Sequence, residues 1–333
     1  MIVVSFLVIL LVKQVPLVNI VRLRNGKLAG IIICILAIIV VVAWLINTGS
    51  LKYFNLDLKR VYEFRRNVSS IINVGVFSYL NAWVFKVFNP AMIAWTFYRK
   101  NYKTFVIFTS LQVLFYAISA HKSVLFYPVL ILIIQIIIEW RFSLHLICLG
   151  IIGVIGISFF ALKLDYILPA SFFIRRLFYT PALLNYAYYN FFSQAGYVYL
   201  SSSIFSSIIK YPFPYPAPMM ISYYLQGHTD TWMNNGFLAC AYMHFGFIGM
   251  VLFSLFVGLL FYLVDTLVLG KQSTRFGLSL VVIPFFILFT SADLTTALLT
   301  HGVGINLFLL WLFESDKGLI KKQFGGDKID GKS

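Results

Sequence analysis

Long stretches of this chain carry no charge. Residues 31–46, 124–138 and 236–264 contain no charged side chain. A helix needs about 20 apolar residues to cross the ~30 Å hydrocarbon core of a bilayer. A soluble fold of 333 residues would have to bury all of these runs, with only 11% charged residues to cover its surface. Ordinary soluble domains have about 25%. In hydrocarbon every backbone polar group must find an internal partner, which leaves helices and closed barrels. The two-residue alternation of a barrel strand is missing. The chain therefore reads as all-α, a single polytopic integral membrane domain over 1–333 built as a transmembrane helical bundle.

The apolar runs predict about nine spanning helices, at 1–20, 28–46, 71–98, 104–120, 123–139, 142–162, 236–264, 276–292 and 294–313. The third contains Asn89-Pro90, so a kink or re-entrant break is expected there. Lys13, Gln14 and Pro16 interrupt the first. The N-terminus lacks a basic n-region and a small-residue cleavage site, so it reads as a span and not as a removable signal. Cys34, Cys148 and Cys240 all lie in apolar segments and form no metal-type or disulfide-type spacing.

The formal net charge of +15 would suggest nucleic acid in a soluble protein. Here the cations lie mostly between apolar runs, so topology accounts for most of them and no nucleic-acid partner is expected. Arg22, Arg24, Lys27, Arg99, Lys100, Lys103, Arg141, Lys271, Arg275 and the five lysines of the C-terminal tail fall on one side. Lys52, Lys59, Arg60, Arg65, Arg66, Lys122, Lys163, Arg175, Arg176 and Lys210 fall on the other. The richer side is cytoplasmic by the positive-inside rule. That sets the C-terminus inside and the N-terminus outside, and predicts further helices upstream of this chain. The cations left outside call for an anionic partner, either membrane lipid or an anionic substrate.

Two outer segments stand out. One is 47–70, with Arg60, Arg65 and Arg66. The other is the long extracytoplasmic loop 163–235, about a quarter of it aromatic, with a helix-like piece at 172–194. A mere connector does not need such length. Arg175, Tyr179, Tyr186 and Asn190 can share one helical face. Arginine binds phosphate oxygens bidentately, and tyrosine or tryptophan suits flat sugar faces as well as the water–lipid boundary. The blander reading is an aromatic belt with snorkelling arginines. No nucleotide loop, metalloprotease motif, nucleophile elbow or clustered carboxylates occur, so neither metal nor cofactor is expected.

Several pieces resemble bacterial O-antigen polymerases, the Wzy-type oligosaccharide repeat-unit polymerases. They are Arg60-Val-Tyr-Glu-Phe-Arg65, Ser119-Ala-His-Lys-Ser123, Arg176-Leu-Phe-Tyr-Thr-Pro181, Tyr188-Tyr-Asn190 and Gly246-Phe-Ile-Gly249. They span about 60–265 in the expected order and topological placement. The resemblance implies a metal-independent glycosyltransferase of the bacterial inner membrane that polymerises undecaprenyl diphosphate-linked oligosaccharide for lipopolysaccharide or a related surface polysaccharide, with a chain-length regulator protein as a partner. Related O-antigen ligases carry a His eleven positions before the first glycine of Gly-x-x-Gly. Here that position is Asn235, which counts against the ligase reading.

On this reading Arg60, Arg65, Arg66, Lys122, Arg175 and Arg176 bind the substrate diphosphate, and Tyr179, Tyr186, Tyr189 and Trp232 bind sugar. His228 and Asp230, in Gly227-His-Thr-Asp-Thr-Trp232, are the candidates for a catalytic base. Asp230 also reads as a cap of the next helix. His145, His244 and His301 read as satisfied core groups and Asp293 as a cap or surface residue. The alternatives are a flippase or transporter of the same lipid-linked sugars, a ligase-like glycosyltransferase, or a structural partner in the assembly complex.

Overall fold

The computed structural model describes residues 1–18, 20–57, 68–139, 143–167, 169–202, 205–268 and 271–314. Among them there is no strand. Five helices are long and apolar enough to cross a membrane: Gly26–Asn47, Tyr102–Ser119, His145–Lys163, Phe237–Leu267 and Leu294–Phe313. Ile2–Val12, Lys122–Ile138 and Thr274–Thr290 are shorter apolar helices. The first of these stops at Lys13, so its 11 residues cover roughly 17 Å at ~1.5 Å per residue, less than the expected 1–20. The described chain divides into two compact units. One comprises 1–15, 136–262 and 285–298, the other 16–135, 263–284 and 299 onward.

In the second unit several apolar helices are interrupted by prolines, and buried amides repair the interruptions. The expected disturbance at Asn89-Pro90 takes the form of π winding at Val84–Phe88, between the helices Val76–Trp83 and Asn89–Tyr98. The Asn89 N–H reaches back to the Val84 carbonyl. Pro90 has no N–H to offer the next carbonyl, Phe85. The buried Gln112 amide donates to that oxygen at 2.9 Å and to Val124 O at 3.2 Å. Val124 is the residue whose helical partner would be Pro128, inside Lys122–Glu139. Asn306 does the same for Leu280, donating to its carbonyl at 2.9 Å because Pro284 cannot. Proline inside a membrane helix is tolerated when such side chains satisfy the freed backbone.

One end of this unit gathers Arg22 on the Leu267 carbonyl at 2.9 Å, Trp311 on Val21 O at 2.9 Å, and Trp95 beside Phe276 and Phe313. Lys27 and Arg99 lie over the Trp95 ring. The other end gathers Trp44 on Ile72 O at 3.0 Å and the Asn55 N–H on Ala117 O at 2.9 Å.

Candidate functional site

In the first unit the segment between the helices ending at Lys163 and beginning at Phe237 is about half helical. A π-wound stretch, Ala170–Tyr179, runs on into Thr180–Ala195, and Ala217–Gln226 follows. Pro181 stands where the π winding passes into Thr180–Ala195, and without an N–H it cannot donate to the turn before it. The segment is tied to its own ends. Tyr188 donates to Met233 O at 3.1 Å, Asn235 donates to Asn185 at 3.1 Å, and Asn190 donates to the Tyr224 hydroxyl at 3.3 Å.

This segment also repairs a broken helix. Within Phe237–Leu267 the backbone leaves helical geometry at Phe245 and Gly246, and the carbonyls just before the break lose their usual donors. The turn at 197–201 supplies them. The Val198 N–H bonds to Met243 O at 3.1 Å and the Tyr199 N–H to His244 O at 3.3 Å. Tyr199 and Leu200 both adopt positive φ, 46° and 63°, an uncommon conformation outside glycine. Gly246, at φ +61°, leaves room for Tyr197, whose hydroxyl lies 2.7 Å from where a Cβ would stand. At Gly249 a Cβ would stand 2.2 Å from the Ala241 carbonyl oxygen. The Gly-x-x-Gly motif is therefore the hinge of a sharply folded helix.

His244 is fully buried at this break. Its Nδ1 accepts from the Leu200 N–H at 3.0 Å, so the ring proton sits on Nε2 and faces Asp293 Oδ2 at 3.1 Å. Thr295 also donates to Asp293 Oδ2, at 2.9 Å. Both imidazole nitrogens are occupied, which fits the core reading of His244 and leaves it no lone pair for base chemistry. Asp293 does open the helix Leu294–Leu299, with its carbonyl accepting from the Ala297 N–H, but its carboxylate serves His244. The pair is not legible in the sequence, because 49 positions separate its members.

The expected site residues divide. Arg175, Arg176, Tyr179, Tyr186 and Tyr189 lie exposed on the run 170–195. The Tyr189 ring is 5.1 Å from Tyr242 and 6.0 Å from Phe247, beside the hinge. Trp232 is exposed. His228 and Asp230 face each other at 3.8 Å, both exposed, after Gly227 ends Ala217–Gln226 in a left-handed conformation. The next helix starts only at Phe237, and Asn235 Oδ1 accepts from the Gly236 N–H at 2.8 Å, so the side-chain acceptor at that helix start is Asn235. Lys122 opens its helix in the other unit. Arg60, Arg65 and Arg66 lie outside the described residues. His145 is exposed on Ser143–Lys163 and not a core group.

Burial, with Cys240, Tyr211 and Asp293 nearby, pushes the Tyr188 phenol well above its ordinary value. Burial pushes Tyr211 up to about 12. Neither serves as a base near neutral pH. Among the described residues no three His, Cys, Asp or Glu side chains come together as a metal site. No protein-family model, curated protein or solved structure matches the chain.

Proposed function

We propose that this protein is a polymerase of undecaprenyl diphosphate-linked oligosaccharide repeat units in the bacterial inner membrane, with about nine spans, the 163–235 segment outside and the C-terminus in the cytoplasm. The observation that carries the reading is the run 170–195, which leaves Arg175, Arg176, Tyr179, Tyr186 and Tyr189 exposed while its following turn is bonded to the residues just before the Gly246 hinge. Cationic forks and flat aromatic faces on one element suit a sugar diphosphate. In the reaction an acceptor hydroxyl oxygen bonds to the anomeric carbon as the bond to diphosphate breaks. Undecaprenyl diphosphate leaves with the electron pair, and the hydroxyl proton passes to His228, Asp230 or water. Arg175 and Arg176 stabilise the leaving charge.

Cells lacking the protein test this reading. A polymerase defect leaves single repeat units on the outer acceptor, a flippase defect leaves none, and loss of an accessory partner changes chain length alone. Arg176→Lys keeps the charge and loses the bidentate fork. It should lower polymer by tenfold or more at unchanged protein level, and wild-type polymer in that variant removes Arg176 from the site. A flippase is the second reading. Transporters build sites from discontinuous helices, and the breaks at Phe245–Gly246 and between Leu299 and Val303 are of that kind.

A further inference from the structure

Two irregular stretches meet in the second unit. The π-wound Val84–Phe88 carries Lys86, and the gap between Leu294–Leu299 and Val303–Phe313 carries His301. They are clamped together. Trp83 Nε1–H donates to Leu299 O at 2.7 Å. Gly302, at φ +77°, fits so closely that a Cβ would stand 2.7 Å from Val87 Cγ2. Lys86 Nζ lies 2.8 Å from His301 Nδ1. An ammonium only donates, so Nδ1 is the acceptor and the imidazole keeps its proton on Nε2.

The pair lies deep along its helices. Tyr98 and Phe313 close the two helical runs, at the end where Trp95 stacks near Phe313. Lys86 and His301 are each about twelve residues back from those ends, or roughly 18 Å at ~1.5 Å per residue. With a hydrocarbon core of about 30 Å this is membrane depth. Ionisable groups there are costly and face partners, water or substrate, and irregular backbone is tolerated there where it lines a cavity or is buried in protein. Both residues are half-buried, so neither is sealed away. The following helix adds donors of the same sense. Its first helical bond runs from the Asn306 N–H to Gly302 O, which leaves the N–H groups of Val303, Gly304 and Ile305 without helical acceptors.

We propose that Lys86 and His301 form a binding site for a phosphate or diphosphate group within the membrane-spanning helices. The ammonium supplies the charge, His301 donates through Nε2–H, and the helix start adds backbone N–H groups. The site goes beyond the glycosyl-transfer reading, because a transporter of the same lipid would use it equally. Its anion comes either with a polyprenyl lipid or from water.

The test uses the full chain in nanodiscs of zwitterionic lipid, with radiolabelled farnesyl diphosphate as probe and inorganic pyrophosphate as competitor. Wild type should bind, Lys86→Arg should retain binding, and Lys86→Gln should lose tenfold or more. The probe carries no sugar, so binding lost in Lys86→Gln assigns the anion to Lys86 whatever the polymer phenotype of Arg176→Lys. Competition by pyrophosphate at similar concentration identifies a free phosphate site, and competition only by unlabelled farnesyl diphosphate identifies a lipid-borne one. Should Lys86→Gln fail to accumulate, His301→Gln reports the same point through the loss of its directed N–H. Undiminished binding in the variant that folds, or no binding by wild type, overturns the proposal.

Discussion

The two units mend broken helices differently. In the second, side-chain amides fill carbonyls that prolines have orphaned: Gln112 for Phe85 and Val124, Asn306 for Leu280. Each amide is fully buried and sits on an apolar helix. In the first, the carbonyls freed at Phe245–Gly246 are met by backbone N–H groups of Val198 and Tyr199, which belong to the aromatic segment between helices. The first repair is internal to the scaffold. The second makes the helix and the segment depend on each other, so a change at the hinge reaches Tyr189 and the arginine-bearing run.

The hinge should be the more fragile. At Gly249 a Cβ meets the Ala241 carbonyl at 2.2 Å and Phe245 Cβ at 2.9 Å, and backbone cannot swing aside as a long side chain does. Gly249→Ala should destabilise by about 4 kcal/mol or more, read as lost accumulation and lower thermal stability in detergent. An alanine variant that unfolds like wild type would show that the two arms of the helix do not approach so closely.

The amide repairs should be graded. An orphaned buried carbonyl costs about 1–3 kcal/mol. Asn306→Leu orphans one, and Gln112→Leu orphans two, so the second loss should be about twice the first. Pro128→Ala returns an N–H to Val124 O and should recover about half of the Gln112→Leu loss. No recovery would mean that Gln112 acts through packing or through Asn89, which also bonds to it.

The sequence made some of this legible and not the rest. Hydrocarbon excludes charge, so the spanning runs at 26–47, 102–119 and 237–267 were visible as uncharged stretches to within a few residues. Pro90 marked its break because a missing N–H is a local property. The glycines 246 and 249 are visible in the sequence only as a spaced pair, and nothing local says that a carbonyl passes over one of them. Gln112 mends prolines on either side of it in sequence, and His244 meets an aspartate 49 positions away. Such pairings exist only once the helices are packed. The cap reading of Asp230 failed for a local reason, since Asn235, next to the helix start, offers the side-chain oxygen first.

The smallest structural effect is expected at His228 and Asp230, and it is the most useful chemically. Their side chains are 48% and 90% exposed and 3.8 Å apart, too open for an ion pair of consequence. Surface substitutions of this kind change stability within about 0.5 kcal/mol. His228→Ala and Asp230→Asn should therefore accumulate and unfold like wild type, unlike Gly249→Ala and Gln112→Leu. Any loss of polymer in them is then a loss of chemistry, and a positioned base typically contributes about 10²–10⁴-fold. Normal polymer in both would remove them as candidates. His244 could not then stand in, since Leu200 and Asp293 hold both of its nitrogens. The acceptor proton would pass to water, with the arginines on 170–195 carrying the reaction by charge alone.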